Sequence, residues 1–218
     1  MEKYKNEMLK MNRDLEMLME NVKNIMDITL NALVNLDLSE IEKIREMDIS
    51  IYHMVKDIET KCINIILMYS PIARDLRRII TVLKIISDID RIGRYSYDIS
   101  LSINKFVEKG HLGKPVIIPK MVEQTKKMVE ISIKSFIEEN LYLAESLQKE
   151  DNIVDELFKN LEYEILDYMK KDNENLERGI NYMLIGKYLE RMADHAVNIG
   201  DNVIYMLTGK RIIKLKKF

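Results

Sequence analysis

The chain has 218 residues, 32% of them charged and 47% hydrophobic, the balance of an ordinary globular protein. Lys and Arg total 34 against 36 acids, a formal charge of −2, so no global basic field draws it toward nucleic acid or anionic lipid. With only 7 Gly, 3 Pro and no Trp, a fold of many short strands is disfavoured and long helices are expected.

The first ten residues, Met1 to Lys10, are charged and lack an uninterrupted apolar run, so no signal peptide is expected. A first amphipathic stretch covers roughly Asp14 to Leu36. Around its start, Met8, Met11 and Met17 allow two readings, a dimer face or core. Ser39 and Glu42 have capping-box spacing and are expected to open a second helix. Its apolar stripe reads Ile44, Asp48, Ile51, Val55, Ile58, Cys62, Ile65. Cys62 is the sole cysteine, so it reads as a small core residue in a reducing compartment. The apolar run Ile65 to Tyr69 falls far short of the ~20 residues that span a bilayer. Ser70 and Pro71 are expected to cap and begin a third helix. That helix carries the stripe Val82, Ile85, Ile89, Ile92, Ser96, Ile99, Ile103, Phe106.

A linker follows, Lys109-Gly110-His111-Leu112-Gly113-Lys114-Pro115, closing at Pro119. A fourth amphipathic stretch runs roughly from Met121 to Leu143. The fifth stripe is Leu147, Asp151, Val154, Phe158, Leu161, Ile165, Tyr168, and the sixth is Tyr182, Ile185, Leu189, Met192, Ala196, Ile199, Val203, Met206. The sixth stripe lies one hundred positions after the third, and its flanks match too: Leu76 with Leu176, Arg78 with Arg178, Ile80 with Ile180, Arg91 with Arg191. The fifth aligns with the second at a slightly different offset. The expected fold is therefore all-α: six long helices forming two tandem antiparallel three-helix bundles related by an internal pseudo-repeat. The expected boundaries are residues 1–109 for the first repeat, 110–119 for the linker, 120–208 for the second repeat and 209–218 for a basic tail. That tail, Lys210, Arg211, Lys214, Lys216 and Lys217 among Ile and Leu, is read as solvated.

The informative residues are acids on seams that should be apolar. Asp48 and Asp151 each interrupt a stripe, and burying a lone carboxylate is costly, so each should be paired, metal-bound or wet. Asp155 lies one turn beyond Asp151, and Glu190 and Asp194 form a second one-turn pair, followed by Asn198. Two such pairs on adjacent helices would surround a hard cation with oxygen ligands. In the first half each pair has lost a member: Asp48 is followed by Tyr52 and Asp90 by Arg94, with Asp98 one turn beyond. A guanidinium among Asp48, Asp90 and Asp98 would take the cation's place, leaving this half metal-free; the plainer reading points Arg94 into water. His195 projects about 100° away from Asp194 and reads as a bystander or interface residue. Glu108 and His111 have Glu-x-x-His spacing, but in a Gly-rich linker without supporting glutamates. There is no phosphate loop, His-Glu-x-x-His or nucleophile elbow.

Leu189-Glu190-Arg191-Met192-Ala193-Asp194-His195-Ala196-Val197-Asn198-Ile199 resembles the signature of the PhoU family. Arg74-Asp75-Leu76-Arg77-Arg78 with Asp90-Arg91-Ile92-Gly93 is similar to its first-repeat version, and Lys149 to Leu157 to its second acidic helix. The resemblance implies two three-helix bundles with carboxylate motifs for metal clusters, iron or zinc. Asp151, Asp155, Glu190 and Asp194 match those motifs; Asp48 and Asp90 match in part, and Asp98 and Asn198 are weaker candidates. It also implies a cytoplasmic, non-enzymatic adaptor between the ATPase of a phosphate ABC transporter and a sensor histidine kinase, repressing phosphate-starvation genes. A homodimer is expected, with no nucleic-acid partner and membrane contact only through partners. The rival readings are a regulatory subunit of another ion transporter and a carboxylate-bridged metalloenzyme.

Overall fold

A computed structural model describes residues 2–106, 110–112 and 117–211. Six long helices account for nearly all of them: α1 (Glu2–Asn35), α2 (Ile41–Tyr69), α3 (Ala73–Ile103), α4 (Ile117–Ile137), α5 (Leu141–Lys171) and α6 (Leu176–Thr208). Helices α1, α2 and α3 pack on one another, as do α4, α5 and α6; α3 against α6 and α1 against α4 join the two bundles. The third and sixth stripes are buried at every position, because one residue in each three- or four-residue step returns to the same helix face. The second stripe is buried throughout, Cys62 and Asp48 included. Met11 is core and Met17 is 61% exposed, so the two readings of those methionines divide by residue.

Several helix ends differ from expectation. Asp37, not Ser39, caps the turn before α2: its Oδ1 accepts from the Ser39 amide at 2.9 Å and opens a short 3-10 turn, Leu38–Glu40. Helix α2 then begins at Ile41 without the Ser39–Glu42 box. Ser70 closes α2 instead of opening α3: in the left-handed region, φ 44°, it donates its amide to the Ile66 carbonyl at 3.0 Å. Helix α3 starts at Ala73, beyond Pro71. Pro119 lies inside the first turn of α4, where a missing amide hydrogen leaves no intrahelical bond unmade. Asn140 caps α5 through Leu143, so Leu141 to Leu143 belong to α5 and not to the fourth helix.

The seam between the bundles follows the repeat. Position 88 of α3 meets position 195 of α6, and position 95 meets position 188. Asp88 Oδ1 lies 2.8 Å from His195 Nδ1, while Tyr95 and Tyr188 stack with ring centres 5.6 Å apart. His195 is thus an interface residue. In the linker, His111 Nδ1 lies 2.5 Å from the Tyr182 hydroxyl and Nε2 lies 3.2 Å from the Val34 carbonyl. That residue ties the connection to both bundles. Its partner in the Glu-x-x-His spacing, Glu108, lies outside the described residues, as do residues 113–116 and most of the basic tail.

Close approach of α5 to α6 requires glycine. A Cβ on Gly200 would stand 2.5 Å from Leu147 Cδ1 and 3.1 Å from the Ala144 carbonyl oxygen, and a backbone atom cannot rotate aside. Gly200→Ala is expected to destabilise the protein by about 1–3 kcal/mol, as overpacked cores do. Urea unfolding measures it; an unchanged midpoint would show that α5 and α6 separate freely.

Candidate functional site

In the first repeat the α2 stripe carries Asp48 into the bundle, where it is 3% exposed. Arg94 of α3 meets it, Nη1 to Oδ2 at 2.8 Å, and its guanidinium also lies over the Tyr97 ring at 5.9 Å. Burial pushes the Asp48 carboxyl up; the Arg94 charge pulls it down, and Asp90 and Asp98 push it up. Asp98 is likewise raised by burial and lowered by Arg94. Asp48 and Asp98 therefore share one guanidinium, with Asp90 adding negative charge beside Asp48; Arg94 is paired through Nη1 while its side chain stays 47% exposed.

In the second repeat Asp194 stands where the first has Arg94. Its carboxyl is raised by burial, then by the negative charge of Glu190, with Asp155 adding to the rise and Arg191 and Lys187 opposing it. Asp194 of α6 thus feels Glu190, one turn before it, and Asp155 of α5, whose own side chain is exposed. The available cations are peripheral. Lys187 Nζ reaches Glu190 Oε1 at 2.7 Å, and Arg191 Nη1 lies 3.9 Å from Asp194 Oδ2. Glu190 Oε2 is buried without a hydrogen-bond partner. Asp151 is half-buried with a polar interaction of its own. Asn198 is exposed and lines a hollow with Lys84, Asp88 and Asp201 on the α3 side.

Among the described residues no group of three or more His, Cys, Asp or Glu side chains is gathered closely enough to hold a metal ion. The second-repeat set nonetheless fits a hard cation in chemistry: carboxylate oxygens only, one of them buried without a hydrogen-bond partner, with repulsion only partly offset by Lys187 and Arg191. Sequence reasoning missed the neighbouring clasp at Glu150. Lys127 Nζ and Gln124 Nε2 of α4 each donate to Glu150 Oε2 at 2.7 Å and hold its carboxyl below the usual range. The pairing is between helices, so no spacing within either one reports it. Lys187, three residues before Glu190, was readable as a helical ion pair.

Fold and site define a tandem-repeat helical bundle with a carboxylate-bearing seam in each repeat, one met by an arginine from the facing helix and the other only partly offset by cations of its own helix. The PhoU domain model matches residues 15–103 and 118–203, and the chain belongs to the PhoU family. It is 34% identical over 184 residues to a phosphate-specific transport system accessory protein PhoU homolog of Clostridium acetobutylicum, covering 84% of each chain. Against homolog 1 of Thermotoga maritima it is 31% identical over 212 residues, 96% of this chain and 90% of that one. The crystal structure of PhoU from Pseudomonas aeruginosa superposes with a TM-score of 0.91 at 29% identity, over 95% of this chain and all of the other. Among the described residues no helix is long and apolar enough to cross a membrane.

The raised Asp194 carboxyl has a pH signature. A folded-state pKa above the unfolded one contributes stability that is present below the unfolded value, near 4, and lost as pH rises through the folded value. In metal-free protein, Asp194→Asn is therefore expected to be more stable than wild type at pH 7, with the advantage vanishing below about pH 4. Thermal melts across pH 3 to 7 measure this; a wild type more stable than the variant at pH 7 would refute it.

Proposed function

We propose that the protein is a cytoplasmic, non-enzymatic regulator of phosphate transport and phosphate-starvation signalling. It works by docking between the ATPase of a phosphate ABC transporter and a sensor histidine kinase. The match of both repeats to proteins named as phosphate-specific transport system accessory proteins carries this reading. Large apolar side chains left on outer surfaces, Leu67 at 74%, Met68 at 72% and Ile72 at 80% exposed, support a role in contact with partners. The homodimer and the negative sense of the regulation belong to the same proposal.

A metal ion is part of it. Asp155, Glu190 and Asp194, with Asp151, would hold a divalent or trivalent cation such as iron or zinc, and Lys187 would give up Glu190 to it. The ion would supply the positive charge this seam lacks. The first repeat needs none, since Arg94 already provides it to Asp48 and Asp98. What the chain itself does is hold α5 against α6 at Leu147 and Gly200.

Two measurements test the proposal. Elemental analysis of purified protein is expected to show metal that is lost in Glu190→Ala and Asp155→Ala and raised in Arg94→Asp. Metal content indifferent to all three substitutions would remove the ion from the account. Tagged protein is expected to capture both the transporter ATPase and the kinase from a membrane extract, and retention of neither would refute the adaptor role.

A further inference from the structure

Helix α3 opens with three arginines in its first two turns, Arg74, Arg77 and Arg78. The N-terminus is the positive end of a helix, where acids stabilise and cations do not. The second repeat obeys that rule: one hundred positions on, around the start of α6, stand Glu174, Glu177 and Arg178. Two arginines thus occupy positions where the sister repeat has two glutamates, and helix formation gives no reason for the inversion. Local rules broken in this way mark function more often than stability.

The three side chains line a cavity of about 250 Å³ together with Glu139, Met206 and Leu207. Its walls come from both repeats: α3 on one side, the α4–α5 turn and the end of α6 on the other. Arg78 is fully committed. It pairs with Glu139 through Nη1 at 2.6 Å, donates twice to Asn12 Oδ1 at 3.3 Å, and lies over the Phe136 ring at 4.9 Å. Arg74 is 74% exposed and shares the Glu139 carboxylate. Arg77 makes no ion pair among the described residues, and its Nε is buried without a hydrogen-bond partner. Asp75 is drawn toward α1, where the Tyr4 hydroxyl donates to it at 2.7 Å. One carboxylate faces three guanidiniums, so two positive charges in the cavity are unmatched.

We propose that this cavity binds a small tetrahedral oxyanion of the phosphate class, with Arg77 and Arg74 as its principal donors. Guanidinium forks match two oxygens of such an anion at once. The volume is several times the ~30 Å³ of one liquid water, while Met206 and Leu207 offer nothing to read a nucleoside base. The occupant is therefore free inorganic anion, not nucleotide. Bound there it bridges α3 to the α4–α5 turn and α6, and so couples the two repeats. The proposal does not depend on the adaptor reading, since it concerns an ion and not a partner protein.

Titration calorimetry of the full chain with inorganic phosphate, at fixed ionic strength, tests it. Saturable binding is expected in wild type and in Arg45→Gln, an exposed guanidinium of α2. Arg77→Gln and Arg74→Gln should each weaken it about tenfold or more, the loss expected of a charge-assisted pair. Sulfate should compete, and ADP should add nothing beyond its phosphates. Phosphate heats indistinguishable from chloride at equal ionic strength, or equal affinity in Arg77→Gln and Arg45→Gln, would overturn the proposal; circular dichroism of each variant confirms that it is folded.

Discussion

A carboxylate set into an apolar helical seam has to be met by positive charge, and the two halves of this protein answer that demand differently. In the first, Asp48 at 3% exposure is met by Arg94 at 2.8 Å, and the guanidinium also serves Asp98. In the second, the position of Arg94 is an acid, Asp194, and the cations nearby, Lys187 and Arg191, stand on α6's own surface. The backbone is repeated but the charge is not. A covalently tethered cation is present at every moment, whereas under the proposed function the second seam takes its cation from solution. The same inversion runs the other way at the helix starts, with arginines at the head of α3 and glutamates around the head of α6.

The seam between α3 and α6 shows the same partition of a symmetric frame. Two pseudo-equivalent crossings exist. One is occupied by Asp88 and His195, a directional pair at 2.8 Å, and the other by Tyr95 and Tyr188, stacked rings that need no charge. A symmetric duplication would have put the same pair of residues at both crossings. With unlike pairs, each bundle can recognise only the other in one orientation, since a rotated arrangement would set Asp88 against an aromatic ring.

Most of the architecture was legible because it is written in helical periodicity. Every position of the third and sixth stripes is buried, and the one-hundred-residue offset predicted which residues of α3 and α6 are counterparts. Helix ends were less legible. Ser70 has the look of an N-cap before Pro71, yet it closes the preceding helix in a left-handed conformation; caps are decided by where the chain turns, which spacing alone does not encode. Of the site, the placement of Arg94 among acids followed from the repeat, because a position and its counterpart must share a face. Contacts between helices without such a counterpart, Glu150 with Lys127 and Gln124 or His111 with Tyr182, were silent in the sequence. No internal comparison pointed to them, and each depends on a rotation of one helix about its axis that apolar stripes fix only to within a residue or so.

Arg94 also separates shape from occupancy. Were both seams to await a cation, its loss would loosen both bundles together, and the molecule would respond by unfolding. With the first seam closed by its own side chain, Asp48 keeps its counter-charge whatever the charge around Glu190 and Asp194. Helix α6 is the member common to that uncompensated seam and to the contact with α3. A change in charge at Asp194 therefore acts on a helix braced against a bundle that does not share the change. Helix α6 also lies close against α5, at Gly186 beside Leu161 and at Gly200 beside Leu147. A duplicated fold with one tethered cation thus has one seam of fixed charge and one whose charge can vary, which two identical repeats would lack.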